Sequence, residues 1–91
     1  MRGGGSNNNV VVFGADWCGD CRQTKAWLRT NNVPFTDIDV EHDADARDRA
    51  IELAKGRRNI PVVVLPDGAV LVEPTDADLA SALGDRSAAS T

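Results

Sequence analysis

Two kinds of hydrophobic pattern divide the chain. Short runs that are almost continuously apolar and rich in β-branched residues occur at 10–13 and 60–65, and they predict buried strands. Longer stretches without Gly or Pro predict helices, and in one of them Ala46, Ala50 and Leu53 form an apolar stripe at helical spacing. The predicted order is strand 10–13, helix 22–31, strand 35–40, helix 41–55, strand 60–65, strand 69–72 and a helix from 75 to 83.

Local signals mark the ends of these elements. The Asn-Asn pair at 31–32 stops the first helix, and Gly56 is the expected C-cap of the second. The Pro-Asp-Gly sequence at 66–68 predicts a turn between two antiparallel strands. Thr75, with Asp78 three positions later, has the pattern of a capping box and predicts where the last helix begins.

The element order β-α-β-α-β-β-α predicts a single α/β domain. We expect the first three strands to be parallel neighbours joined by right-handed crossovers, with the fourth strand antiparallel at the edge. This arrangement gives a four-stranded mixed sheet with helices on both faces. The strand at 35–40 is predicted to be short, because its apolar residues do not share one face. The predicted domain spans 9–84, between a disordered tail at 1–8 and a flexible tail at 85–91.

Composition and charge narrow the class of protein. The chain has 91 residues, enough for one domain with its own core. Ten basic and fourteen acidic residues give a net charge of −4, which argues against nucleic acid or an anionic membrane surface as the main partner. No apolar run approaches the roughly 20 residues that span a bilayer, and residues 1–9 lack the apolar core of a secretory signal. We therefore expect a small, acidic, cytoplasmic protein that is a monomer.

The only two cysteines, Cys18 and Cys21, lie at the predicted junction between the first strand and the first helix. A C-x-x-C pair in this position is typical of thiol–disulfide chemistry. The first turn of a helix has unpaired N–H groups and a dipole that favours an anion, here a thiolate at Cys18. Cys21, one turn later, is placed to attack a disulfide formed at Cys18. Without an export signal, the pair suits a reducing cytosol.

Other roles of the cysteine pair fit the sequence less well. A structural disulfide with so small a loop would constrain the unfolded chain little. A zinc site needs about four ligands, and the chain offers these two cysteines and one distant histidine, His42. Metal-transfer domains also carry C-x-x-C after their first strand, but their element order differs. We expect His42 to face solvent and no metal to be bound.

Charged and aromatic residues near the motif have several possible roles. The charge of Asp20 repels a thiolate and so opposes the stabilisation by the helix end, whereas the charges of Arg22 and Lys25 offset that of Asp20. The sequence is therefore compatible with either a net stabilisation or a net destabilisation of the thiolate. The Arg pair at 57–58 either steers an anionic or hydroxyl-rich substrate or is simply solvated at a helix end. Trp17 is expected to flank and shield the thiol instead of filling the core, while the second tryptophan is assigned to packing.

Three stretches carry a resemblance to a known family. They are Trp-Cys-Gly-Asp-Cys at 17–21, Ile-Pro-Val-Val-Val at 60–64 and Pro-Asp-Gly-Ala-Val-Leu-Val-Glu-Pro-Thr at 66–75. With them the chain resembles the glutaredoxins, and in particular the mycoredoxin-type glutaredoxins of actinobacteria, over roughly residues 10–83. The resemblance implies the thioredoxin fold.

The resemblance also implies roles for individual residues. Cys18 is the nucleophile, Cys21 resolves or modulates, and the peptide bond before Pro61 is cis. The backbone around Ile60 contacts the substrate thiol, and residues 72–76 close the groove on the far side. The candidate substrate-binding residues are Trp17, Asp20, Arg22, Arg58, Ile60, Pro61, Thr75 and Asp76.

Departures from the family pattern indicate which small thiol the protein uses. Residues 73–76, Glu-Pro-Thr-Asp, stand where glutathione-binding glutaredoxins tend to have Gly-Gly followed by Cys-Asp or Ser-Asp. This disfavours glutathione and suits mycothiol, which has a sugar–inositol body in place of two carboxylates. Asp20 stands where an aromatic residue is more common. The fragment at 15–21 is also similar to thioredoxin-type proteins, which favour dithiol chemistry on protein disulfides, and Thr24 stands where the family's helix usually has an apolar residue.

We therefore expect a thiol–disulfide oxidoreductase without a bound cofactor. It would reduce mixed disulfides between proteins and a low-molecular-weight thiol, most simply mycothiol, through Cys18. Its partners would be those proteins, the small thiol and the reductase of that thiol. One alternative is a dithiol reductase, thioredoxin-like or serving ribonucleotide reductase, in which Cys21 is also required. Another is a non-catalytic thiol-binding or metal-binding module.

Overall fold

Four strands and three helices follow one another in the predicted order. The structure is a computed structural model and describes residues 9–84, so the tails predicted at 1–8 and 85–91 lie outside the described residues. The elements are β1 (Val10–Gly14), α1 (Gly19–Thr30), β2 (Phe35–Asp39), α2 (Ala44–Leu53), β3 (Val62–Val64), β4 (Val70–Val72) and α3 (Asp76–Leu79). A wider, π-helical turn at Ala80–Gly84 continues α3.

The four strands form one mixed sheet in the order β2-β1-β3-β4. β1 and β2 are parallel, with Val10 opposite Phe35. β3 pairs with β1 in the antiparallel direction, with Val12 opposite Val63, and β4 is antiparallel to β3 at the edge. The edge hairpin is as predicted, but the prediction of three mutually parallel strands is wrong for β3.

The direction of β3 follows from where α2 returns the chain. β2 ends with Asp39 opposite Gly14, and β3 begins with Val62 opposite Phe13, so the end of β2 and the start of β3 both lie beside the carboxyl end of β1. α2 has ten residues, a length of about 15 Å, and the link at 54–61 brings the chain back to the end of the sheet that it left. A continuously apolar strand has the same pattern in both directions, so the sequence did not reveal this reversal.

The core lies on both faces of the sheet. On one face, buried residues of β1 and β3 pack against Leu28 of α1 and Leu79 of α3. On the other face, Phe13 packs with Ala50 of α2. β2 contributes Phe35 to the first face and an isoleucine, Ile38, to the second, as predicted from its imperfect alternation. The sheet is therefore covered by α1 and α3 on one side and by α2 on the other.

Caps fix the ends of the helices. Asp43 caps the start of α2, and its side chain accepts a hydrogen bond from a backbone N–H of the first turn. At the other end the C-cap is Ala54, not the predicted Gly56. Lys55 takes the left-handed conformation with φ 59°, and the Gly56 N–H donates to the carbonyl of Ile51 at 2.8 Å. This is a Schellman ending, and Gly56 lies one position beyond the residue that turns the chain.

No helix in the described part of the chain is long and apolar enough to cross a bilayer.

Candidate active site

Cys18 is the residue that caps α1. Its backbone is extended, with φ −82° and ψ 115°, and α1 begins at Gly19. The helix therefore starts three residues before the predicted position 22, because the cysteine itself supplies the cap. The Cys18 Sγ accepts a hydrogen bond from the Cys21 N–H at 3.2 Å. Both sulfurs thus lie in the first turn, where backbone N–H groups and the helix dipole favour negative charge at Cys18.

The two cysteines differ in exposure. Both are free thiols, and Cys18 keeps 8% of its surface exposed while Cys21 has none. Burial, followed by a side-chain hydrogen bond with Cys18, raises the pKa of Cys21 to about 12. A Cβ atom at Gly14 would lie 2.6 Å from the Cys21 Sγ, so the backbone of β1 packs directly against this sulfur. Only Cys18 can therefore meet a substrate without a rearrangement.

Two clefts lie on either side of the cysteine motif. The first, the basic groove, has a volume of about 440 Å³ and polar walls formed by Trp17, Glu41, Arg47, Arg57 and Arg58. The second, the acidic cleft, has a volume of about 350 Å³, and its charged residues are Asp20, Glu73 and Asp76. Trp17 and Asp20, which flank Cys18 in the sequence, therefore line clefts of opposite charge: the basic groove has three arginines and one glutamate, and the acidic cleft has carboxylates alone.

The structure divides the predicted substrate-binding residues between these clefts. Trp17, Arg58 and Ile60 line the basic groove, and Asp20, Thr75 and Asp76 line the acidic cleft. Pro61 is buried and joined to Ile60 by a cis peptide bond, as the resemblance implied. Arg22 is exposed on α1 and lines neither cleft.

Trp17 stands out from the surface of the basic groove. Its side chain is 67% exposed, so it does not fill the core, and its Nε1–H donates to the carboxylate of Glu41. Trp27, in contrast, packs against the core as predicted. The indole of Trp17 is therefore held beside the motif by a residue that follows β2.

Lys25 is close enough to the thiols to act on Cys21, as the sequence predicts, but it also has a partner that the sequence does not indicate. It is buried, and its Nζ contacts the Asp37 Oδ2 at 2.9 Å. The charge of Lys25 lowers the pKa of Cys21, as the smallest of the effects on that thiol. Its main contact therefore joins α1 to β2. Thr24, the polar residue at a position that is usually apolar in the family, is buried as well.

The single histidine faces solvent, as predicted. The side chain of His42 is 81% exposed, and its Nδ1 lies 2.7 Å from the Asp39 Oδ2. This hydrogen bond raises the pKa of His42 and lowers that of Asp39. Among residues 9–84, no three His, Cys, Asp or Glu side chains come together as metal ligands.

Sequence reasoning missed several residues of the site. Gly14 and Glu41 carried no signal, because their roles depend on contacts with Cys21 and Trp17 that form only in the fold. Arg47 could have been found, since it adjoins the apolar stripe of α2 and is three positions before the buried Ala50.

Comparison with known proteins places this geometry in a family. The family model named Glutaredoxin matches residues 10–70. A protein of Mycobacterium tuberculosis that is named as a glutaredoxin is 29% identical over 66 residues, covering 72% of this chain and 79% of its own. Mycoredoxin 1 of Corynebacterium glutamicum is 29% identical over 72 residues, or 79% of this chain and 89% of its own.

A solved structure agrees with these relatives. The crystal structure of a mutant of the thioredoxin-like protein BC3987 superposes with a TM-score of 0.73 and 30% identity, covering 84% of this chain and 95% of the other. Together with the cysteine pair at the start of α1 and the cis bond before Pro61, these likenesses show that the chain belongs to the glutaredoxin family of thiol oxidoreductases, with a thioredoxin-like fold.

Proposed function

We propose that this protein reduces mixed disulfides between proteins and a low-molecular-weight thiol, with Cys18 as the nucleophile. The observation that carries the proposal is the hydrogen bond from the Cys21 N–H to the Cys18 Sγ at the start of α1. It gives a thiolate at Cys18 a donor, whereas Cys21 is fully buried with a raised pKa. One sulfur is thus prepared for attack and the other is kept as a thiol.

The reaction needs Cys18, the mixed disulfide, which brings one small thiol with it, and one further molecule of free small thiol. The Cys18 thiolate attacks the sulfur of the small thiol, the disulfide bond to the protein breaks, and the protein leaves as a thiolate that takes up a proton. A second molecule of small thiol then attacks the new disulfide at Cys18. This step restores the thiolate and releases the disulfide of the small thiol, which is the substrate of its own reductase.

We propose mycothiol as the small thiol, with glutathione as the less favoured choice. Support comes from the acidic cleft, where Asp20, Glu73 and Asp76 would repel the carboxylates of glutathione but not a neutral sugar–inositol body. The name of the similar Corynebacterium glutamicum protein, mycoredoxin 1, points the same way. Thr75 and Asp76 would then contact the small thiol at the start of α3.

We further propose that the protein acts as a monomer in the cytoplasm. A reducing compartment suits the two free thiols, Cys18 and Cys21, because Cys18 must be reduced again in each turnover and Cys21 must stay a thiol throughout. No bound cofactor is needed for thiol exchange.

The decisive experiment compares two cysteine variants on two substrates. Turnover of a mycothiol mixed disulfide and of a glutathione mixed disulfide is measured for wild type, Cys18→Ser and Cys21→Ser. We expect Cys18→Ser to lose activity at least a thousandfold, because an alcohol at neutral pH is no substitute for a thiolate. Cys21→Ser should retain activity within a factor of a few, and mycothiol should be preferred. Measurable turnover by Cys18→Ser would show that the nucleophile is misassigned.

A second candidate is a dithiol reductase that acts on protein disulfides. The contact between Cys21 and Cys18 favours it, because the same closeness allows Cys21 to resolve a disulfide at Cys18 once it is deprotonated. The likeness to a thioredoxin-like structure also supports it. Activity that needs both cysteines and appears only on protein disulfides would select this function, including that of an electron donor to ribonucleotide reductase.

A further inference from the structure

Three guanidinium groups line the basic groove without pairing to a carboxylate of residues 9–84. They belong to Arg47, Arg57 and Arg58, and none of them forms a salt bridge within the described part of the chain. On the same helix as Arg47, by contrast, Arg49 faces Glu52 at 3.7 Å. Guanidinium groups that line a concave surface in this way are available to carboxylates of another molecule.

The rest of the groove suits a polypeptide. Its floor includes the apolar side chains of Val40, Ile51 and Ile60, and one wall is the exposed indole of Trp17. Within residues 9–84, the N–H and C=O of Ile60 make no backbone hydrogen bond, so they can pair with an extended chain. An apolar floor, an aromatic wall and free backbone groups are the features with which proteins hold peptide segments.

The positive charge of the basic groove is confined to one part of a chain that is negative overall. The whole chain carries a net charge of −4, and the acidic cleft on the other side of the motif presents Asp20, Glu73 and Asp76. An acidic segment that approaches Cys18 is therefore attracted from one side and repelled from the other. This asymmetry favours the basic groove over the acidic cleft as the place where such a segment binds.

We propose that the basic groove binds an acidic segment of the client protein, adjacent to the client cysteine that carries the mixed disulfide. The inference rests on the proposed function and adds to it the kind of client that the site selects. Carboxylates of the client pair with Arg57, Arg58 and Arg47, its backbone lies along Ile60, and its apolar side chains contact the floor. Cys18 then attacks a disulfide that is already held in place.

The test uses two peptides that differ only in charge. Each has one cysteine bound as a mixed disulfide to 2-mercaptoethanol, an uncharged thiol, and three residues beside it are Glu in one peptide and Gln in the other. The second-order rate constant for release of the peptide thiol by reduced protein is measured in single turnover. Each rate is divided by the rate with dithiothreitol, which removes any intrinsic difference between the two disulfides.

We expect the Glu peptide to react about tenfold faster at low ionic strength, because each exposed ion pair contributes a factor of about two to three. The preference should disappear at about 0.5 M salt, where the Debye length is short. In Arg57→Gln/Arg58→Gln the Glu-to-Gln ratio should fall to about two. The Arg57→Lys/Arg58→Lys variant should recover part of it, which shows that the groove is intact. Arg49→Gln, outside the groove, should keep the wild-type ratio.

Other outcomes overturn the inference in distinguishable ways. If wild type reduces both peptides equally fast at low salt, the client segment is not selected by charge, although the proposed function stands. If the two arginines matter only when glutathione replaces 2-mercaptoethanol, the groove holds the small thiol and not the client. If neither peptide is reduced although a mycothiol mixed disulfide is, this inference fails alone. If the mycothiol mixed disulfide is not reduced either, the proposed function fails and this inference fails with it.

Discussion

At Cys21, burial and close packing act on the same sulfur. The side chain is fully buried, β1 lies against it at Gly14, and its pKa is raised to about 12. At neutral pH it is therefore a thiol, and its backbone N–H, not its sulfur, is the group that acts on Cys18. A second cysteine in a redox motif can thus serve as part of the nucleophile's environment.

The raised pKa of Cys21 predicts how this thiol reacts with iodoacetamide in Cys18→Ser, where it is the only cysteine. Only the thiolate reacts, and burial, the largest cause of the raised pKa of Cys21, is kept in this variant. Labelling between pH 7 and pH 10 should therefore be slow and should rise about tenfold per pH unit. The same variant unfolded in urea should label quickly near pH 9. Equal rates in the folded and unfolded protein would contradict the assigned environment.

The contact at Gly14 predicts a stability loss in Gly14→Ala. The added Cβ would lie 2.6 Å from the Cys21 Sγ and 3.1 Å from its Cβ, so either β1 or α1 must shift. Overpacking of this kind costs about 1–3 kcal/mol of unfolding free energy, which urea denaturation can measure. Gly19→Ala is the matched control, because a Cβ at Gly19 meets nothing within 4 Å. Equal stability of the two variants would show that the site absorbs the methyl group.

At the residue scale, the sequence predicted the reactive residues better than it predicted which residues contact one another. Spacing alone singled out Cys18 and Cys21, because nucleophile and neighbour belong to one helical turn. The hydrogen bond between Trp17 and Glu41 joins residues that are 24 positions apart. Such a pair depends on how the loop after β1 lies against the loop after β2, and no local pattern encodes that.

At the scale of elements, α3 shows how a short helix is fixed at its start. The Thr75 Oγ1 accepts from the Asp78 N–H, and the Asp78 carboxylate accepts from the Thr75 N–H, both at 3.0 Å. These reciprocal bonds confirm the predicted capping box, with Asp in the place of the usual Glu or Gln. They allow a helix of four residues to place Leu79 in the core.

The cap predicts that Thr75→Ala destabilises the protein by about 1 kcal/mol, because a first-turn N–H loses its acceptor. Thermal or urea denaturation measures this change. Thr30→Ala, at the exposed end of α1, is the control and should be close to neutral. If both threonine variants unfold like wild type, the reciprocal bonds contribute nothing to stability.

The elements themselves were predicted nearly in full, with errors at their ends. Strands have continuous apolar runs and helices have caps, and both are local properties of the chain. The predicted range of α1 covers only the stretch without Gly or Pro, whereas the helix begins at Gly19, with Cys18, already expected at the helix start, as its cap. The C-cap of α2 was misplaced because Lys55, which is not a glycine, takes the left-handed conformation.

At the scale of the whole molecule, the sequence did not predict the direction of β3 in the sheet or the distribution of charge over the surface. The antiparallel orientation of β3 depends on where α2 returns the chain, which is a tertiary property. The separation of charge around Cys18 also arises only in the fold, since it brings Arg47 of α2 beside Arg57 and Arg58 and sets them apart from Glu73. The overall negative charge gives no hint of a basic surface.

The position of β1 between β2 and β3 has a consequence for how the chain reaches this structure. The register of Val12 with Val63 closes a loop of about 50 residues, and such non-local pairing slows folding relative to a helical protein of similar length. During synthesis on the ribosome, β1 and β2 can meet first, but β1 keeps one open edge until β3 has emerged. Until β3 has emerged, the nascent domain therefore carries a central strand with one unpaired edge, which exposes it to aggregation and to chaperones during translation.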